Sequence, residues 1–125
     1  MKVLALDFGA ARTGVAVSDP TGTIARPLCV VERAADGAGL ARLAELIGEE
    51  EAERVVVGMP LTLRGERGEQ AVATERFVEA LRRTIPVPVE TFDERFTTVL
   101  AGPGGDDADA AVHLLSSYLT WSSRR

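Results

Sequence analysis

Lys2-Val3-Leu4-Ala5-Leu6-Asp7-Phe8-Gly9 sets the architecture of the chain. Its apolar residues are consecutive rather than alternating, so both faces are to be covered, as in a central strand. The run closes on a carboxylate, Asp7, and Gly9 lets backbone or a ligand approach closely. Gly9 and Gly14 bracket a tight connection, Val15-Ala16-Val17 continue as a second strand, and Asp19-Pro20-Thr21-Gly22 turn the chain. A third strand reads from Ile24 to Val31. Spacings this short favour an antiparallel meander.

The period then changes. Leu40, Leu43, Leu46 and Ile47 recur at helical spacing, with Glu49-Glu50-Glu51 as the solvated end of that helix. Val55-Val56-Val57 follow as a buried strand ended by Gly58-Met59-Pro60. A second helix turns Thr74, Phe77, Val78 and Leu81 inward, and a strand opens at Pro86 and runs to about Phe92. A last helix carries Ala111, Leu114, Leu115, Tyr118 and Leu119 at i, i+3, i+4, i+7 and i+8, with Trp121 on the same packed stripe. The order βββ-α-β-α-β-α predicts one α/β domain over residues 1–125. Its five-stranded mixed sheet, a meander plus parallel strands, is flanked by helices.

At 125 residues, 46% hydrophobic and 26% charged, the chain has the composition of an ordinary globular domain. No apolar run reaches the roughly 18–20 residues of a membrane helix, and the start lacks the pattern of a signal peptide. The sequence therefore predicts a cytoplasmic protein. Cys29 is the only cysteine, which excludes an internal disulfide and a cysteine metal cage, and its apolar neighbours predict a small buried side chain. The net charge of −5 and pI near 4.9 speak against a general nucleic-acid binder. Yet all but one of the basic residues are arginines, the bidentate phosphate-binding type, so their placement matters more than the sum.

Ligands of such sheets gather beyond the carboxyl ends of the parallel strands. Asp7, Gly58 and the pair Asp93-Glu94 end three strands on that rim. Adjacent strand residues point to opposite faces, so one of Asp93 and Glu94 joins Asp7, and the spacing does not say which. Of the acids that open the last helix, Asp107 stands four residues before Ala111 and so projects along the packed stripe, whereas Asp106 and Asp109 lead towards His113. Capping explains each of these acids singly. Together, carboxylates from separate segments suit a hard cation, Mg²⁺ or Mn²⁺, and paired ions about 4 Å apart serve phosphodiester hydrolysis. Arg12, Arg64, Arg67 and Arg95 follow the same strand ends, beside the acidic cleft. His113, the lone histidine, reads as an edge residue and leaves no basis for a serine triad or zinc site.

Read in order, these segments resemble the YqgF family, also called RuvX. The matching stretches are Leu4 to Gly9, Arg12 through Asp19, Ala25-Arg26-Pro27-Leu28, Val55 through Leu61, Gly65 through Ala71, Asp93 through Thr98, and Asp107 through Leu119. Members are described as pre-16S rRNA nucleases and as Holliday junction resolvases with an RNase H-like fold. The resemblance implies a role in ribosome biogenesis or junction resolution, on rRNA precursor or branched DNA. It implies an acidic site of Asp7, Glu94 and Asp107, with Asp93 as the alternative ligand. In that scheme Asp7 bridges two metal ions, Glu94 and Asp107 each hold one, and Arg95 or Arg12 meets a phosphate oxygen. The departure is a short connection. Only Val99 to Asp106 separates Thr98 from Asp107, where the family usually carries a further helix and a basic loop. Two other classes compete: an ATP-binding relative of actin and the sugar kinases, and a non-catalytic nucleic-acid binding or scaffolding module. A monomer or weak homodimer is expected, with no membrane partner.

Overall fold

The computed structural model describes residues 1–61, 64, 67–97 and 107–124. Three antiparallel strands come first: β1 (Val3–Asp7), β2 (Arg12–Ser18) and β3 (Ala25–Glu32). Helix α1 (Gly37–Glu49) crosses to β4 (Arg54–Met59), and α2 (Glu69–Thr84) crosses to β5 (Val89–Asp93). A 3₁₀ turn (Glu94–Phe96) and helix α3 (Asp107–Ser123) follow. The strand order is β3-β2-β1-β4-β5, with β4 parallel to β1 and β5 parallel to β4. The double-sided apolar run thus becomes the middle strand, as its pattern demands.

Two cores sandwich the sheet. Leu4, Leu6, Val15, Val55 and Val57 pack on one face against Leu43, Leu46 and Ile47 of α1 and Phe77, Val78 and Leu81 of α2. Phe8 extends that core, its ring stacked on Phe77 at 4.4 Å. On the other face Val3, Ala5, Ala16, Val56 and Phe92 meet Ala111, Leu114, Leu115, Tyr118 and Leu119 of α3. Every position of the predicted α3 stripe up to Leu119 is buried. Among the described residues no helix is long and apolar enough to cross a membrane.

Several boundaries differ from the sequence reading. Strand β5 begins at Val89 rather than Pro86, because a proline nitrogen has no hydrogen to give to a ladder. Strand β2 starts at Arg12, which places that arginine on the sheet rather than in the connection. Cys29 is half-buried instead of buried, since β3 is an edge strand with one side open. Glu50 is not simply solvated: it pairs with Lys2 at 3.3 Å and Arg26 at 3.2 Å. Trp121 is 41% exposed, resting on Phe92 and Tyr118 from outside rather than joining the core. Gly65, Glu66, Thr98 and the short connection through Asp106 lie outside the described residues.

Candidate metal centre

Strand parity selects which side chains meet. Val3 and Ala5 face α3, so Asp7, two residues on, faces the N-terminus of α3. On β5, Phe92 faces α3, and Glu94 continues that parity into the 3₁₀ turn while Asp93 looks away. The contacts follow. Glu94 hydrogen-bonds the Asp7 carboxyl, and Asp107 at the start of α3 faces Asp7 as a like charge. Asp93 instead caps the turn, accepting from the Arg95 backbone at 2.9 Å and from its guanidinium Nε at 2.9 Å. Asp109 is exposed, and Asp106 lies outside the described residues.

Two glycines make this convergence possible, and the sequence reading did not find them as site builders. Gly14 pairs with Asp7 across β1 and β2, and a Cβ there would sit 1.8 Å from the Asp107 carbonyl oxygen. Its bare backbone lets α3 descend onto the sheet. On the other flank a Cβ on Gly58 of β4 would sit 2.7 Å from Glu94 Oε1. Glu94 reaches Asp7 across that gap. The signal available in the sequence was a glycine in each strand beside the one that ends in Asp7.

The electrostatics record two crowded acids, Asp7 and Glu94, in too little water. Burial chiefly, and then the Asp107 charge, raise the Asp7 carboxyl above its usual range, although a hydrogen bond from Glu94 opposes this. Burial and the Asp7 charge push Glu94 up to about 7, so near neutrality it keeps its proton and donates it to Asp7. The Arg95 guanidinium holds Asp93 below the usual carboxylate range. Protons retained on Asp7 and Glu94 in the folded chain add stability that is complete below the ordinary carboxylate range. That stability is lost as pH rises through about 7. Glu94→Gln has no such proton to lose, so in denaturant titrations it should exceed the wild type by about 1–2 kcal/mol at about pH 8. At about pH 4 the two curves should coincide.

A divalent cation fits these residues by chemistry. The donors are all hard oxygens, burial raises the carboxyls of Asp7 and Glu94, and the Gly58 gap admits the Glu94 side chain. Among the described residues no three such side chains close on one point as placed. Asp107 leans instead to Arg12, whose Nε lies 3.2 Å from its Oδ2. The other rim arginines differ in freedom. Arg67 pairs with Glu75 of α2, Arg95 is gripped by Asp93, and Arg64 is exposed. Gly58→Ala separates site from fold: the methyl meets only the end of a flexible side chain, so Tm should change little. Mn²⁺ affinity should fall about 10- to 100-fold, as when a ligand's support is removed, which calorimetric titration would read.

Comparison with known proteins identifies the family. Residues 1–120 match the family model described as RuvX, Holliday junction resolvase. A protein of Chloroflexus aggregans named "Putative pre-16S rRNA nuclease" is 48% identical over 99 residues, covering 79% of this chain and 70% of its own. One of the same name from Rhodococcus jostii is 46% identical over 140 residues, covering 97% and 78%. That alignment has 140 positions against a chain of 125 residues, so at least 15 of them face no residue here. The chain spans 58% to 78% of the length of such relatives. The Thermus thermophilus RuvC bound to a Holliday junction superposes with a TM-score of 0.70 at 18% identity, over 99% of this chain and 96% of that one, a likeness of fold. By its match over residues 1–120 and its likeness to these relatives, the chain belongs to the RuvX family of nucleases.

Proposed function

We propose that the chain hydrolyses phosphodiester bonds in structured nucleic acid with Mg²⁺ or Mn²⁺ held by Asp7, Glu94 and Asp107. The observation that carries this is the meeting of Asp7 with Glu94 and Asp107 through the two glycine gaps. The substrate is the 5′ end of a 16S rRNA precursor, in line with the names its relatives bear, or a branched DNA junction. A cytoplasmic site of action goes with the first. One carboxylate site per chain cuts one strand, so symmetrical junction cleavage requires two copies.

When bound, paired divalent ions supply an activated water and stabilise the attacking and leaving oxygens. The protein's own part is to hold the acids. Asp7 would hold the ions together with Glu94 and Asp107, while Asp93 stays with Arg95. Glu94 must lose its proton to bind metal, so Mn²⁺ affinity should rise with pH through about 7 and level off above it. Arg12, exposed beside Asp107, is placed to exchange that carboxylate for a phosphate oxygen. Arg95 already gives its Nε and Nη2 to the Asp93 carboxylate.

Grip on the strand rests on few charges. With a net charge of −5 and Arg67 shared with Glu75, binding should be weak. The log–log salt slope should be shallow, about −2 to −3 at roughly 0.7 per phosphate contact. Arg64→Ala with Arg67→Ala should flatten it further and leave Mn²⁺ affinity unchanged. The test of function is Mn²⁺-dependent cleavage of labelled rRNA precursor, single-stranded RNA and a four-way junction. Cleavage of none, with Mn²⁺ still bound, would favour the binding or scaffolding module instead.

A further inference from the structure

Beyond the carboxylates, the outer side of α3 and the 3₁₀ turn frame an open groove of about 730 Å³. Its walls are aromatic. Phe96 is 64% exposed and Trp121 41%, and both rest on Phe92, with ring centroids at 6.2 and 5.5 Å. The Arg95 guanidinium carbon stands 6.0 Å from the centre of the Phe96 ring. Ser116, Ser117 and Thr120 line it together with His113 and Arg124, the Thr120 hydroxyl donating to the Ser116 carbonyl at 3.0 Å. Among the described residues lining it there is no carboxylate, in a chain whose net charge is −5.

We propose that this groove receives an unstacked nucleobase of the strand whose phosphate lies at Asp7, Glu94 and Asp107. A planar occupant suits the exposed rings, an anionic one suits Arg124, and a hydrogen-bonding one suits the hydroxyls; a nucleotide is all three. The position suits it too. Phe96 belongs to the same three-residue turn as Glu94, so the ring and the proposed metal ligand are two residues apart. The location beside the scissile phosphate rests on the nuclease reading. The stacking itself does not.

Trp121 is the only tryptophan, so its emission reports this groove directly. Asp7→Asn protein in Mg²⁺ would be titrated with an unstructured RNA oligonucleotide and with an abasic strand of equal length. The base-bearing strand should quench the emission saturably, by at least about twofold, and the abasic strand should not. Phe96→Ala should weaken binding of the base-bearing strand about five- to tenfold, and Phe96→Trp should restore it. In the cleavage assay Phe96→Ala should raise KM and spare kcat. Equal quenching by both strands, or none by either, would overturn the proposal. So would an emission that shifts with protein concentration alone, which would mean that a second copy covers the groove. Full RNA affinity in Phe96→Ala, beside Mn²⁺-dependent cleavage by the wild type, would sink the nucleobase site and leave the nuclease reading standing. Base-dependent quenching without any cleavage would do the reverse.

Discussion

Asp7→Asn is expected to abolish Mn²⁺-dependent cleavage, by at least about a thousandfold or ~4 kcal/mol of transition-state stabilisation. The substitution keeps the shape of the side chain and removes one charge from the centre of the acidic cluster. Asp7 is the residue that both Glu94 and Asp107 face, so its loss disconnects the other two rather than thinning the site evenly. The fold should not suffer. Burial and the neighbouring Asp107 already make the ionised Asp7 costly, and the amide can still bond to Glu94. Stability of the metal-free protein should therefore hold or rise, the usual exchange between activity and stability at a strained site. Single-turnover cleavage and thermal unfolding, measured on the same preparation, would check both halves. Cleavage at the wild-type rate would remove Asp7 from the mechanism.

Among the described glycines, Gly14→Ala should have the largest structural effect, because its new methyl meets backbone at the shortest distance. The new Cβ would lie 1.8 Å from the carbonyl oxygen of Asp107, and backbone cannot swing aside as a side-chain end can. Either α3 lifts off the sheet at its first turn or β2 shifts. Both disturb the core formed by Ala5, Ala16 and Ala111. Overpacking of this kind costs about 1–3 kcal/mol and often more where backbone is struck, which lowers Tm by roughly 4–8 °C per kcal/mol in a domain of this size or a little smaller. Asp107 moves with the helix, so Mn²⁺ affinity should fall as well. The contrast with Gly58→Ala is the informative part: there the obstacle is a flexible carboxyl, and only the metal should notice.

Much of this architecture could be read from residue order. The two-sided apolar run of β1, the short spacings of the meander and the stripe from Ala111 to Leu119 each follow from local periodicity. The same stripe singled out Asp107, four residues before Ala111. Asp93 and Glu94 could not be separated in that way, because the choice depends on which face Phe92 takes and on the 3₁₀ turn that carries its parity forward. Gly14 and Gly58 looked like ordinary loop and strand-end glycines until the register set Gly14 opposite Asp7 and put Gly58 on the next strand. The partners of the arginines were equally hidden. Arg95 folds back on Asp93 two residues away, and Arg67 reaches Glu75 eight residues on, pairings that no simple helix or strand spacing signals. Trp121 fits the periodicity of α3, but only its contact with the outer side of Phe92 shows that it faces outwards.

We propose that Asp7, Glu94 and Asp107 together hold divalent metal. It is tested most directly by Mn²⁺ titration followed by electron paramagnetic resonance, comparing the wild type with Asp7→Asn, Glu94→Gln, Asp107→Ala and Asp109→Ala at about pH 8, above the titration of Glu94. The wild type and Asp109→Ala should bind saturably, Glu94→Gln and Asp107→Ala should bind much more weakly, and Asp7→Asn should not bind. Undiminished Mn²⁺ binding by Asp7→Asn would contradict the proposal.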